Sequence, residues 1–508
     1  MPNNNFENSF NNGIRYFKEK NFKKSEEEFN SVLKIYPNNI EALFYCGLMN
    51  FQNKNYSKSE IFLKKIIKID YKNRNANVIL GLICTNLNKK KDAITYFRVA
   101  YENNNNDIEV LNSLGSSYMS IEDFEKAKFF LNKAYNINNN FLPVCNNLGN
   151  FYLKQGEFLK AIEMYKKVLN IKPDYASGYN NLASAQSDLG NLEDAVKNYC
   201  KAAEIDPKNN TTKTNIIQIL RYINPSNPEV NSLTDLNDKI KKIKIPSATE
   251  KISDQEVINF YKSCNELVNK YLKDYNFYDT QIWRSNTINL RCDRHFDVFN
   301  QFKIIPQYCF GCYKVQVELK SILDFLRLYF IFDDIDLAEN NSRKCMIELR
   351  TIASGTYKGL IFCSGYESAK TAQSVLEKAL NRNIKGKLKI EIKRGCTEYG
   401  IEHPNYKVLD ETSNDFMKYN EEWKKKENII DNNKSKYLRD LNAKRQTSLK
   451  GANLNDILII NNWIYYAKKI DDLDYKKLNE KVLKSDQIEN EIIKQLDFRK
   501  KEFNKSFI

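Results

Sequence analysis

Glycine stands at positions 13, 47, 81, 115 and 149, and alanine takes the next slot at 183, so one unit recurs six times at a spacing of 34 residues. A fixed period of that length is the signature of a helical-repeat array. One such unit cannot bury its apolar face alone. Stacked neighbours bury it for one another, so the first two-fifths of the chain must fold as a linear stack with a cap at its end.

The fifth copy, Leu142 to Tyr175, shows the unit most clearly. Leu148, Gly149 and Tyr152 fall on a first helix, Gly156 turns the chain, Ala161 and Tyr165 fall on a second, and Pro173 ends the unit. Small residues at 149 and 161 let paired helices cross closely, the tyrosines fill the space beside the crossing, and proline cannot continue a helix. The sixth copy repeats this with Ala183, Gly190, Ala195, Tyr199 and Pro207, and the first with Gly13, Tyr16, Phe29 and Pro37. Copies two to four are looser: Ser59 replaces the alanine, and asparagine-rich ends at 103–106 and 138–140 replace the terminal proline.

Residues 6–209 thus resemble the tetratricopeptide repeat (TPR) family. The resemblance implies a right-handed α-helical superhelix whose inner groove, lined by the first helix of each unit, suits an extended peptide or a partner helix. It also implies that inner-face asparagines hold a peptide main chain, since an amide both donates and accepts. The sixth position of the unit reads Asn11, Tyr45, Ile79, Ser113, Asn147 and Asn181. Asn147, Asn181 and Asn11 are therefore the candidate peptide contacts; the competing reading is that they reflect a chain rich in asparagine throughout.

A length of 508 residues suggests about three domains. No stretch approaches the roughly 18 uninterrupted apolar residues of a membrane span, and the polar start lacks a secretory pattern, so a cytoplasmic protein is expected. Eleven cysteines, an odd number, fit buried thiols in a reducing compartment better than a disulfide framework. The net charge of +15 comes from lysine spread over the whole chain, and a nucleic-acid partner is not favoured.

Behind the repeats, 210–223 reads as a capping helix and 224–250, with Pro225, Pro228 and Pro246, as a linker. Residues 251–408 form a cysteine-rich α/β domain and 409–508 a helical C-terminal region. Val315, Val317 and Leu319 alternate with polar residues as a strand, and 321–332 is apolar at helical spacing. Two more strands at 345–350 and 358–364, a helix at 366–381 and a strand through Leu388, Ile390 and Ile392 complete a βαββαβ order, which is ferredoxin-like.

Six cysteines and both histidines lie between Cys292 and His403. Cys292-x2-His295 and Cys309-x2-Cys312, thirteen residues apart, have the two-pair spacing of a zinc knuckle, because two intervening residues let both side chains of one turn face one ion. Cys345, Cys363, Cys396 and His403 are alternative ligands, expected with the others at one end of the sheet. Zinc is the first expectation, an iron–sulfur cluster or a redox thiol pair are further ones, and plain packing of buried cysteine competes with all three. Asp293 and Arg294 are candidate active-site charges, His295 a candidate base, and Asp333, Asp334 and Asp336 read as a solvated helix end. No catalytic motif stands out. Two functions remain open: a peptide-binding adaptor or scaffold with a cysteine-rich module, or a metal- or thiol-dependent enzyme whose repeats recruit its substrate.

Overall fold

The computed structural model describes residues 2–272, 276–285, 288–386, 388–432, 434–478 and 486–505, without the side chains of 2–5, 434, 435 and 505. They divide into two compact units, Met1–Pro173 and Asp174–Ile508.

The first unit holds five helix pairs, beginning with Pro2–Lys18 and Phe22–Ile35 and ending with Leu142–Lys154 and Phe158–Ile171. In each pair the periodic glycine faces a large side chain of the second helix. A Cβ added at Gly81 would stand 2.5 Å from Phe97, at Gly115 2.5 Å from Leu131, and at Gly149 2.5 Å from Tyr165. Ser59, which replaces the small alanine, is buried and its hydroxyl donates to the Gly47 carbonyl at 2.7 Å; Ser25 does the same to Gly13 at 2.8 Å. The hydroxyl satisfies itself across the crossing, so the substitution leaves the close approach intact.

The turn between paired helices needs one left-handed residue per copy: Lys20, Lys54, Asn88, Glu122, Gly156 and Gly190 all have positive φ, at the same 34-residue spacing. Only the last two copies meet that need with glycine, the residue without a Cβ penalty there. Much of the asparagine has a local use. Asn21, Asn39, Asn55 and Asn73 each accept a backbone N–H at a helix start. Successive copies are braced by lysine on tyrosine: Lys133 lies over Tyr101 and Lys167 over Tyr135, with Nζ donating to the phenol oxygen at 3.3 and 3.0 Å.

The second unit opens with the sixth pair, Ala176–Leu189 and Leu192–Ile205, and the capping helix Asn210–Ile219. Residues 224–250, expected as a linker, instead carry the helix Ser232–Lys241. Its Leu233, Leu236 and Ile240 enter the same core as Ile216 and Trp463. The flanking prolines mask that short apolar stripe in the sequence. The backbone N–H of Leu454 bonds the Asn237 side chain at 2.9 Å, and Arg439 Nε bonds Asp188 at 2.6 Å, so the sixth repeat is tied to the C-terminal segments.

Five strands, β1 (Gln281–Arg284), β2 (Tyr313–Leu319), β3 (Arg343–Ile347), β4 (Tyr357–Cys363) and β5 (Lys389–Arg394), form one sheet in the order β1-β3-β4-β2-β5 with every neighbouring pair antiparallel. The helix Ile322–Asp334 connects β2 to β3, and Tyr366–Asn383 connects β4 to β5. Gly359, in the middle of β4, admits Leu328 and Phe332 of the first of these against the sheet. The helix Leu454–Lys469 is buried nearly throughout, with Trp463 packed on Phe325 at a ring distance of 4.4 Å. β1 came from a stretch legible only as strand-like and aromatic.

Of the C-terminal stretch Asp474 to Lys500, residues 479–485 lie outside the described ones. The helices Asp486–Ile493 and Leu496–Lys505 follow, and the fully buried Arg499 donates to the carbonyls of Gly355 and Ala353, both at 3.1 Å. Among the described residues no helix is long and apolar enough to cross a membrane.

Candidate functional site

Two places gather the expected functional residues, one on the repeat helices and one against the sheet. On the repeats, the sixth position of copies two to six is half-buried, whereas Asn11 is exposed. Tyr45 is held by stacking on Phe29 at 5.0 Å. Asn147 donates through Nδ2 to Asn112 Oδ1 at 2.9 Å, from the first helix of copy five to that of copy four. In the second unit the same contact recurs between Asn215 and Asn180 at 3.0 Å, the latter next to Asn181. Both pairs are separated by 35 residues, one repeat plus one. That spacing was available in the sequence and identifies Asn112, Asn180 and Asn215, which the sixth-position reading missed. An amide offers four hydrogen-bonding sites, and the bond to Asn112 occupies one of those of Asn147.

Against the sheet, Cys292, His295, Cys309, Cys312 and Cys396 line one cavity of about 20 Å³, with Lys314, Phe362 and Tyr399 also in its wall. Cys292 and His295 come from the first turn of the helix Cys292–Phe302, and Cys309 from the short helix Gln307–Phe310 that leads into β2. Cys396 follows β5. The two motifs, far apart along the chain from Cys396, meet because β2 and β5 pair, Tyr313 opposite Arg394. A space of this size holds about one water or one ion.

Burial favours the uncharged forms of His295 and of the Cys292, Cys309 and Cys312 thiols. Burial, and then the nearby Arg294 and Arg291, push His295 down to about 4, and its ring stacks on Tyr308 at 5.2 Å. Burial pushes the Cys312 thiol up to about 12 and raises Cys309 further. Cys309 Sγ donates to the Tyr399 hydroxyl at 3.7 Å, and Tyr406 donates to the Cys309 carbonyl at 2.6 Å. Protonated thiols are weak nucleophiles, and a metal would have to displace their protons. Among the described residues no group of three or more His, Cys, Asp or Glu side chains is arranged to hold a metal ion.

Of the alternative ligands, Cys396 joins the cavity wall, whereas Cys345, Cys363 and His403 do not. Cys345 sits opposite Gly359 in the interior of the sheet and is buried in the main core. Cys363 is buried in that core as well, and His403 is turned to the Lys303 carbonyl at 2.8 Å with its ring tilted against Trp423 at 5.4 Å. The expected gathering of all these residues at one sheet end therefore fails for Cys345, because the strand register carries it inward.

Two charged readings are also corrected. Arg294 is buried in ion pairs with Glu427 at 2.9 Å and Asp431 at 2.6 Å, so it anchors the helix Trp423–Asn432 and has no free charge for catalysis. Asp333, expected in solvent, is buried and accepts from Arg284 at 2.6 Å. The sheet face beside the cavity carries a stacked aromatic pair, Trp283 on Phe362 at 5.5 Å, with Lys344 over both rings. Burial, with Lys314 and Arg350 nearby, lowers Lys344 to about 8.

The family model described as the tetratricopeptide repeat protein 21 C-terminal ARM domain matches residues 9–182, and the tetratricopeptide repeat model matches 176–209. A search of curated proteins returned no match. Among solved structures, MamA is 26% identical, covering 33% of this chain and 92% of its own, with a TM-score of 0.29. YrrB, described as a TPR protein with an unusual peptide-binding site, is 17% identical, covering 37% and 96% with a TM-score of 0.31. A thermophilic TPR protein of Thermus thermophilus is 19% identical, covering 36% and 98% with a TM-score of 0.33.

Proposed function

The chain is a tetratricopeptide-repeat protein over residues 9–209, and from that premise we propose that it is an adaptor whose repeats hold an extended polypeptide. The observation that carries this reading is the amide pair Asn112–Asn147 on adjacent first helices of the first unit, which presents remaining donor and acceptor capacity at a half-buried position. Asn11, exposed on the first copy, and Asn181, half-buried in the second unit, are proposed as further contacts. A random peptide-display library panned on the full chain should enrich binders, and Asn147→Ala should weaken them about threefold to tenfold in fluorescence anisotropy. Absence of enrichment, or affinity unchanged in an Asn11→Ala/Asn147→Ala chain, refutes it.

In this reading the second unit is a ferredoxin-like module fused to the last repeat, supported by the β3-β4-β2-β5 order, the antiparallel pairing and the helices between β2 and β3 and between β4 and β5. A reducing, cytoplasmic setting is supported by eleven cysteines, none of them bridged. The thiols held protonated weigh against a thiol-dependent enzyme. Zinc at Cys292, His295, Cys309 and Cys312 is a second reading, favoured by their convergence on one ion-sized cavity and by a neutral histidine. Its test is metal analysis of the purified chain: about one zinc, lost in Cys312→Ser, supports it. Metal-free protein of full stability leaves plain packing, and an iron–sulfur cluster would announce itself by colour.

A further inference from the structure

A larger cavity, about 400 Å³, opens in the second unit beside β1, and its wall is rich in arginine: Arg221, Arg291, Arg294 and Arg445. Arg294 is spent on Glu427 and Asp431. The other three differ. Among the described residues, no carboxylate forms an ion pair with Arg221, Arg291 or Arg445. Arg221 lies over the Tyr222 ring at 5.3 Å, and Arg445 donates to the backbone carbonyl of Asp440 at 2.9 Å. Three guanidinium groups around one concavity repel one another, and an arrangement of that kind is relieved by a multiply charged anion. A guanidinium fork matches phosphate oxygens in pairs.

The volume decides between a bare ion and a larger ligand. About 400 Å³ lies within the range of small-molecule sites and far exceeds what one phosphate fills. The rest of the wall suits an organic body: Trp283 and Tyr222 offer flat apolar surface, and Ile288 closes it. Asp293 and Asp440, also in the wall, would repel phosphate but accept hydrogen bonds from hydroxyl or amino groups. Phosphate, a flat ring and hydroxyl donors in one molecule of this size describe a nucleotide. We propose that this cavity binds a mononucleotide, with Arg221, Arg291 and Arg445 on its phosphates and the base against Trp283 and Tyr222.

The test is isothermal titration calorimetry on the full chain with ATP, ADP, AMP, GTP and CTP, alongside adenosine and inorganic phosphate. At least one nucleotide should bind more tightly than about 1 mM. An Arg221→Gln/Arg291→Gln chain should lose about tenfold or more, while Lys424→Gln/Lys425→Gln, which removes two exposed positive charges outside the cavity, should change affinity by less than about twofold. If the double arginine variant fails to fold by circular dichroism, Arg445→Gln, on an exposed side chain, should show the loss instead. Three results overturn the proposal: no nucleotide binds, inorganic phosphate binds as tightly as every nucleotide, or the lysine variant loses as much as the arginine variants.

Discussion

Arg284 is the side chain whose removal most directly tests the account of the second unit. From the edge strand β1 it donates to Asp333 at 2.6 Å, to Asp456 at 2.8 Å and to the Tyr329 hydroxyl at 3.1 Å, with its guanidinium 5.1 Å from the Tyr329 ring. Asp333 lies in the last turn of the helix after β2 and Asp456 in the first turn of the helix Leu454–Lys469, so one cation joins three segments that the sequence separates by up to 172 residues. All three charged groups are buried; Asp456 is 1% exposed. Arg284→Met removes the cation and leaves two buried carboxylates, one of which, through Oδ1 of Asp456, already has no hydrogen-bond partner among the described residues. Breaking a buried pair this way costs about 3–5 kcal/mol, and two stranded acids place the effect at the upper end. All three tryptophans, Trp283, Trp423 and Trp463, lie in this unit, so urea unfolding followed by tryptophan fluorescence reports it without the first five repeats. Arg284→Met/Asp333→Asn/Asp456→Asn should regain about half or more of the loss. A single-variant cost below about 1 kcal/mol, or a triple variant no better than the single, refutes the claim that uncompensated charge is the source.

Gly81→Val should lower the stability of the first unit by about 1–3 kcal/mol, since the new side chain enters space held by Phe97; thermal unfolding that rises instead would contradict the close crossing. Glu348 gives an acid-side signature. Burial pushes its carboxyl up, but hydrogen bonds from Arg350 and the charge of Lys358 outweigh that and bring it down to about 2. Its folded value lies below the ordinary 4.5, so its contribution is present above that value and is lost as pH falls toward about 2. Glu348→Gln should remove that part of the acid-unfolding curve, and an unchanged curve would assign the acid lability to other groups.

The repeats were legible because their physics is local. A 34-residue recurrence of glycine, large residue and turn dictates its own packing, and even Ser59 kept the crossing through a bond to the nearest carbonyl. The alternation in β2 and β5 and the apolar helix between β2 and β3 were equally readable, because each element buries one face. The turn was legible at Gly156 and Gly190, whereas in the first four copies the left-handed residue is lysine, asparagine or glutamate and only the backbone reveals it.

Pairing across long separations lay beyond any such reading. That Cys292, His295, Cys309, Cys312 and Cys396 share one cavity while Cys345 does not follows from which strands pair and in which register, and a one-residue slip of β3 would turn Cys345 to the other face. Glu427 and Asp333 looked like ordinary surface acids; only the arginines brought to them from elsewhere in the chain allow their burial. Local pattern therefore decided the helices, strands and repeat of this protein, while the convergence of its thiols, its arginines and its buried ion pairs was decided by tertiary packing, because charge and coordination depend on neighbours that the chain supplies from a distance.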